Sequence, residues 1–127
     1  MSQIPINKRK KSMAIFYFFL IVLSTSFLGS PAYAVSSGRQ AVAATGTPET
    51  LSSTSTFCTT IVVSADEGNT DVVAVGASDV DATEASRTGM ILFPGQLEYI
   101  HGRNNLNSVW VDVEVNDEAV SFTCFQR

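Results

Sequence analysis

Between residues 108 and 115 (SVWVDVEV) apolar and polar side chains alternate almost without a break. Val109, Val111, Val113 and Val115 fall on one side of the chain; Trp110, Asp112 and Glu114 fall on the other. A period of two marks a strand with one buried face, and no segment carries a sustained 3.6-residue stripe that would argue for a helix. The fold is therefore expected to be all-β. Other apolar runs are each closed by a turn signal. Residues 57–65 (FCTTIVVSA) end at Asp66-Glu67-Gly68-Asn69, and residues 70–75 end at Gly76. Residues 90–93 stop at Pro94-Gly95, and residues 96–101 stop at Gly102-Arg103-Asn104-Asn105. Residues 79–83 read as a short polar edge strand. After Asn116-Asp117-Glu118, residues 119–125 (AVSFTCF) are expected to pair back on residues 108–115 as a hairpin. In that hairpin the valine side and the side bearing Val120, Phe122 and Cys124 both point inward. Residues 57–65 are apolar on both sides, as a central strand is. Short strands with such spacing form a small antiparallel β-sandwich, or a small barrel, of about six to seven strands.

The start of the chain has the order of a secretory signal. Lys8-Arg9-Lys10-Lys11 is followed by the uncharged apolar run 13–28 and then by Ala32-Tyr33-Ala34. A positive patch, an apolar core and small residues at the −3 and −1 positions place the cut between Ala34 and Val35. The apolar run is shorter than the roughly 20 residues a spanning helix needs. The chain then divides into a signal peptide (1–34), a flexible Ser/Thr/Ala/Gly-rich tether (35–56) and one folded domain (57–127). The tether assignment rests on composition, because residues 35–56 contain no aromatic residue and little apolar periodicity.

Export also gives the cysteines a role. Cys58 and Cys124 are the chain's two cysteines, and an oxidising compartment lets such a pair bond. The bridge would stabilise the domain by about 4 kcal/mol in the chain-entropy model.

Charge narrows the function. After the expected cut only Arg39, Arg87, Arg103 and Arg127 are basic, against 12 Asp and Glu. Duplex nucleic acid requires clustered Lys or Arg, and an anionic membrane surface requires the same. Neither is expected as a partner once the signal is removed.

Candidate chemistry is sparse. Asp79-Val80-Asp81-Ala82-Thr83 matches the D-x-D-x-T element of phosphoryl-transferring hydrolases of the haloacid dehalogenase type. No lysine follows the expected cut and no helical crossover pattern follows the motif, so the pair reads as a solvated turn whose charges block edge pairing. Calcium is the other reading of the two carboxylates. His101 is a lone histidine with Ser108 and Asp112 near it in sequence, and nothing in the pattern makes the three converge. No catalytic residue, metal ligand or cofactor is expected. Trp110 is the aromatic to place: it either packs under a loop or makes a contact, and Tyr99 and Arg103 would join it if strands 96–101 and 108–115 are neighbours. Aromatic and arginine side chains dominate contact surfaces, so these three form the expected one.

The order of elements resembles the small β-sandwich domains of tailed-bacteriophage virion proteins, the decoration, fibre and adaptor modules. The residues that carry the likeness are Val75-Gly76, residues 80–83, Gly89, Leu92-Phe93-Pro94-Gly95 and the terminal stretch 109–125. The resemblance implies a β-sandwich that works by assembly, here in an exported form.

The expected function is that of an exported, non-enzymatic structural or binding module, at the cell surface, in the periplasm or outside the cell. Its partner would be a protein or a glycan, or a second copy in a homo-oligomer. The alternatives are a self-assembling virion-type module and a small exported enzyme or enzyme inhibitor. Mass spectrometry of the exported protein should give Val35 as its first residue. An N-terminus upstream of residue 30 would overturn the cleavage assignment.

Overall fold

The computed structural model describes residues 33–127; residues 1–32, which hold most of the expected signal peptide, lie outside the described residues. The described chain forms eight strands: β1 (Val35–Ala41), β2 (Glu49–Thr50), β3 (Phe57–Ala65), β4 (Val73–Gly76), β5 (Met90–Leu92), β6 (Leu97–Asn105), β7 (Trp110–Val113) and β8 (Ala119–Phe125). One 3-10 turn, Leu106–Ser108, separates β6 from β7.

The pairings follow one rule. β1 lies beside β8, β2 beside β7, β3 beside β6 and β4 beside β5, all antiparallel. The chain is thus a long ribbon, running out along β1–β4 and back along β5–β8. Rolling the ribbon brings β3 beside β8 and β4 beside β7. The result is a front sheet in the order β1-β8-β3-β6 and a back sheet in the order β2-β7-β4-β5. This is the double-sheet jelly-roll connectivity, and it makes the protein an antiparallel β-sandwich.

The core lies between the sheets. From the front come Cys58, Ile61, Val63, Val120, Phe122 and Cys124; from the back come Val73, Val75, Leu92, Val111 and Val113. Cys58 and Cys124 are joined, with their Cα atoms 5.4 Å apart. The bridge links neighbouring strands of the front sheet from their inward sides.

Residues 35–56 are not a tether. They supply β1 and β2, and they bury Val42 and Leu51 in the core. Composition asks whether a segment can order itself, but this one joins a ladder that the rest of the chain provides. It needs only backbone hydrogen bonds and two apolar anchors, each worth about 1.5–3 kcal/mol when buried. At β1 a close approach is also required. Phe122 lies over Gly38, and a Cβ there would sit 2.6 Å from its Cζ.

The terminal hairpin is also corrected. β7 and β8 belong to opposite sheets. Both predicted inward faces do point into the core, but they meet it from opposite sides. The crossing segment is clamped by side chains. Glu118, buried, accepts through Oε1 from the Thr70 and Asp71 backbone N–H groups and from the Thr70 hydroxyl. Asn69 exchanges two hydrogen bonds with the backbone of Ala119, at 2.8 and 3.1 Å. The valine face ends at Val113, since Val115 is exposed.

Residues 79–83 do not form the expected edge strand. They make an isolated bridge, Asp81 to Thr88, inside a loop that folds over the outer face of the back sheet. Val80 and Ala82 pack there on Ala74, Ile91 and Trp110. Asp112 is wholly buried beneath this loop and accepts from the Ala82 N–H at 2.8 Å. Gly89 closes the loop with φ +93, and a Cβ there would meet Val80 Cγ2 at 2.7 Å.

Leu51→Ala should lower the unfolding free energy by about 2–5 kcal/mol, the range for a buried leucine. Denaturant titration reads this directly. A loss below about 0.5 kcal/mol, the range of surface changes, would mean that residues 35–56 do not belong to the core.

Candidate binding face

The two outer faces of the sandwich differ. The back sheet is covered by the loop just described. No described segment covers the front sheet, and its outward side chains stand in three rows. The first is Val35, Phe125, Thr60 and His101; the second is Ser37, Thr123, Val62 and Tyr99; the third is Arg39, Ser121, Ser64 and Leu97. Parity explains the rows, because Ile61, Val63, Val120, Phe122 and Cys124 take the inward positions between them.

The face carries large exposed apolar groups. Val35, Leu97, Tyr99 and Phe125 are 58, 48, 54 and 41 % exposed. The rings of Tyr99 and His101 stack, with centroids 5.9 Å apart and planes 10° from parallel. Thr60 Oγ1 lies 3.5 Å from His101 Nδ1. Beyond the first row, a hollow of about 270 Å³ opens between Phe57, Cys58, Thr59, Gln126 and Arg127. Phe57 stands exposed at its side.

None of the 12 Asp and Glu residues occupies the rows. Asp66 reaches only the rim, where it pairs with Arg39 Nε at 2.6 Å and accepts from the Ser121 hydroxyl at 2.8 Å. The carboxylates gather elsewhere. A cleft of about 320 Å³ is lined by Arg39, Asp66, Asn69, Thr70, Asp117 and Glu118, among others. Asp66 and Glu118 are already engaged there by protein donors. Among the described residues no group of three or more His, Cys, Asp or Glu side chains is placed to hold a metal ion.

Of the expected contact residues, Tyr99 stands on the bare face and Arg103 lies further along the same strand, β6. Trp110 is in the back sheet and packs against Ala74, Val80 and Ala82. The three do not form one surface, because β6 and β7 are not neighbours. His101, Ser108 and Asp112 are likewise apart. His101 is exposed on the front sheet, the Ser108 hydroxyl donates to the Asn105 carbonyl, and Asp112 is buried under the loop.

The D-x-D-x-T residues serve the loop. Asp79 is exposed, and its carbonyl accepts from the Thr88 hydroxyl. Asp81 accepts from the Ser86 hydroxyl at 2.6 Å and from the Thr83 N–H at 2.8 Å. The Ser86 bond above all, then those from Thr83, holds the Asp81 carboxyl below its ordinary value of 3.8.

Sequence reasoning missed Val35, Leu97 and Phe125 as contact residues. The outward partners of residues 57–65 could not be named without knowing that β8 and β6 flank β3 and that β1 lies beyond β8. The chain matches no family model, no curated protein and no solved structure.

A carboxyl with a depressed pKa supports its loop above the ordinary aspartate range, and that support is lost as the pH falls through the depressed value. Ser86→Ala should therefore move the Asp81 titration midpoint, followed by NMR, upward toward 3.8. An unmoved midpoint would remove the hydroxyl as its cause.

Proposed function

We propose that the protein is an exported, non-enzymatic binding module that makes its contacts through the outer face of the front sheet. The observation that carries this reading is the contrast between that face and the rest of the chain. A domain with a large excess of carboxylates keeps one flat surface free of them and exposes Tyr99, Leu97, Phe125 and Val35 on it. Contiguous exposed apolar groups rimmed by polar ones mark interaction surfaces, and aromatic side chains carry much of the energy of such contacts. The surrounding carboxylates keep the remaining surface solvated and repel wrong partners.

Export is supported by the order of positive, apolar and small-residue segments before Val35. A disulfide fits the same compartment. Among the described residues no helix is long and apolar enough to cross a membrane. The non-enzymatic reading is supported by the separation of His101, Ser108 and Asp112, and by the structural work that Asp81 already does. The jelly-roll connectivity occurs in viral capsid and lectin domains alike, so the topology alone favours neither self-assembly nor sugar binding.

The test uses the fluorescently labelled exported protein on whole cells of the producing strain and on arrayed polysaccharides. Tyr99→Ala combined with Phe125→Ser should weaken binding about tenfold or more, the effect of losing a contact hot spot. Glu84→Ala, in the exposed loop on the back sheet, should leave binding unchanged. Equal binding by the double variant and the unaltered protein would remove this face from the proposal.

A further inference from the structure

β1 brings no apolar side chain to the core side of the front sheet, whereas β6, the other edge strand, sets Ile100 against the core. β1 pairs only with β8. Its core-facing positions, opposite Cys124, Phe122 and Val120, are Ser36, Gly38 and Gln40. None is apolar, and no residue of β1 belongs to the buried core. What fastens the strand is its backbone ladder, the Arg39–Asp66 ion pair and a hydrogen bond from Gln40 to Glu49 at 2.8 Å. Strands with little buried apolar surface occupy the low-stability end of a fold and open first.

The site that β1 fills is more demanding than β1 itself. When β1 leaves, β8 presents an unpaired edge, with Phe122 at its centre. A strand that takes this place must have no Cβ opposite Phe122, because one would lie 2.6 Å from the ring. It also benefits from a cation opposite Ser121, next to Asp66. A second copy of this chain brings both, as Gly38 and Arg39 in the same register.

The connection to β2 can serve as the hinge. Residues 43–48 are mostly exposed, and they turn at Gly46 with φ +68. Two side chains hold them: the Ala43 N–H donates to nearby Glu49, and the Thr45 N–H to Asn116 in the crossing between β7 and β8. Val42 is buried and bonded to Asp117 and Glu118 through both its backbone groups, so an exchanged segment 35–42 must re-seat this one core side chain and both bonds on the partner.

We propose that β1 is an exchangeable strand, and that the β8 edge accepts residues 35–42 of a second copy to give a strand-exchanged dimer. Exchange of an identical element reproduces every native contact, so its balance is set by concentration and by the hinge. The outer face of the front sheet keeps the same rows in the exchanged form. The proposal therefore does not depend on the binding function of that face.

Two single variants test it. An Arg39→Cys protein and a Ser121→Cys protein are purified separately, mixed at high concentration, incubated and mildly oxidised. Positions 39 and 121 are register partners across β1 and β8, so strand exchange places them side by side between chains. A heterodimer linked through 39 and 121 should exceed the 39–39 and 121–121 dimers severalfold, and its yield should rise with concentration. Peptide mapping confirms that Cys58–Cys124 is retained. Cross-links in random proportion would overturn the proposal. Light scattering on the unaltered chain gives a second reading that needs no variant. A dimer that forms on concentration and decays slowly on dilution supports exchange, and a monomer throughout refutes it. Gly38→Val should abolish both signals, since its side chain cannot lie under Phe122. Survival of a dimer in that variant would show that the copies meet elsewhere.

Discussion

β8 carries ladders on both edges, to β1 along residues 35–41 and to β3 along residues 60–65, and its bridge at Cys124 ties it covalently to β3. Its inward side chains Val120, Phe122 and Cys124 share the front half of the core with Cys58, Ile61 and Val63 of β3. Each dependence runs through this strand. β1 can dock only where β8 offers an edge, and Phe122 dictates a glycine in whatever strand docks there. A disulfide acts mainly by restricting the unfolded chain. This one closes a loop of 66 residues in sequence and so holds β3 and β8 together across most of the ribbon's return path. A jelly roll is dominated by non-local pairing, which makes chain closure a large entropic cost.

The polar side chains in the interior do a complementary job. Asn69 and Glu118 satisfy backbone groups where the chain crosses between the sheets, and buried N–H groups left without partners there would each cost roughly 1–3 kcal/mol. Asp112 does the same for Ala82, so its cost of burial is tied to the loop that covers the back sheet. Arg87 extends that anchorage, with Nε donating to the Ala82 carbonyl and the guanidinium 3.6 Å from Glu114. The asymmetry of the molecule follows from these contacts. One outer face is occupied by a pinned loop, and the other is left to solvent.

The valine alternation and the β8 pattern reported their buried faces correctly, because parity along one strand is a local property. They did not report which sheet each strand joins. Two inward faces separated only by residues 114–118 satisfy a hairpin and a sheet-to-sheet crossing equally well, and the clamps at Asn69 and Glu118 hold the crossing. β1 was illegible for a related reason. Ser36, Gly38 and Gln40 have no apolar signal, since the strand is held by its backbone and by a ring that belongs to β8. Asp112 reads as a solvent-side residue because the loop that buries it lies thirty positions away. On the bare front face, Tyr99 is marked by the sequence only as a companion of Trp110, through a pairing of residues 96–101 with 108–115 that does not form. Phe125 and Val35 come onto the same face as Tyr99 only through the long-range pairs β3–β6, β3–β8 and β1–β8, with Val35 on the opposite edge strand.

The sheet edges bear on how such a protein can make contacts. β2 has two residues and β5 has three, too few to template another strand. β6 is long, but Glu98 stands opposite buried Val63 on its inward side, and a carboxylate at an inward edge position opposes strand addition. That leaves β1 as the one edge of useful length with no carboxylate, and its own inward side carries no apolar side chain. The bare face and the loose edge are therefore adjoining parts of the same front sheet, meeting at Val35, Ser37 and Arg39. A partner seated on the face would cover the outward side of β1 and resist its release, whereas release of β1 would remove one member from each of the three rows. Contact through the face and movement of the edge are thus thermodynamically linked, and a ligand that needs Val35 or Arg39 in place would stabilise whichever form, closed or exchanged, keeps a strand on β8.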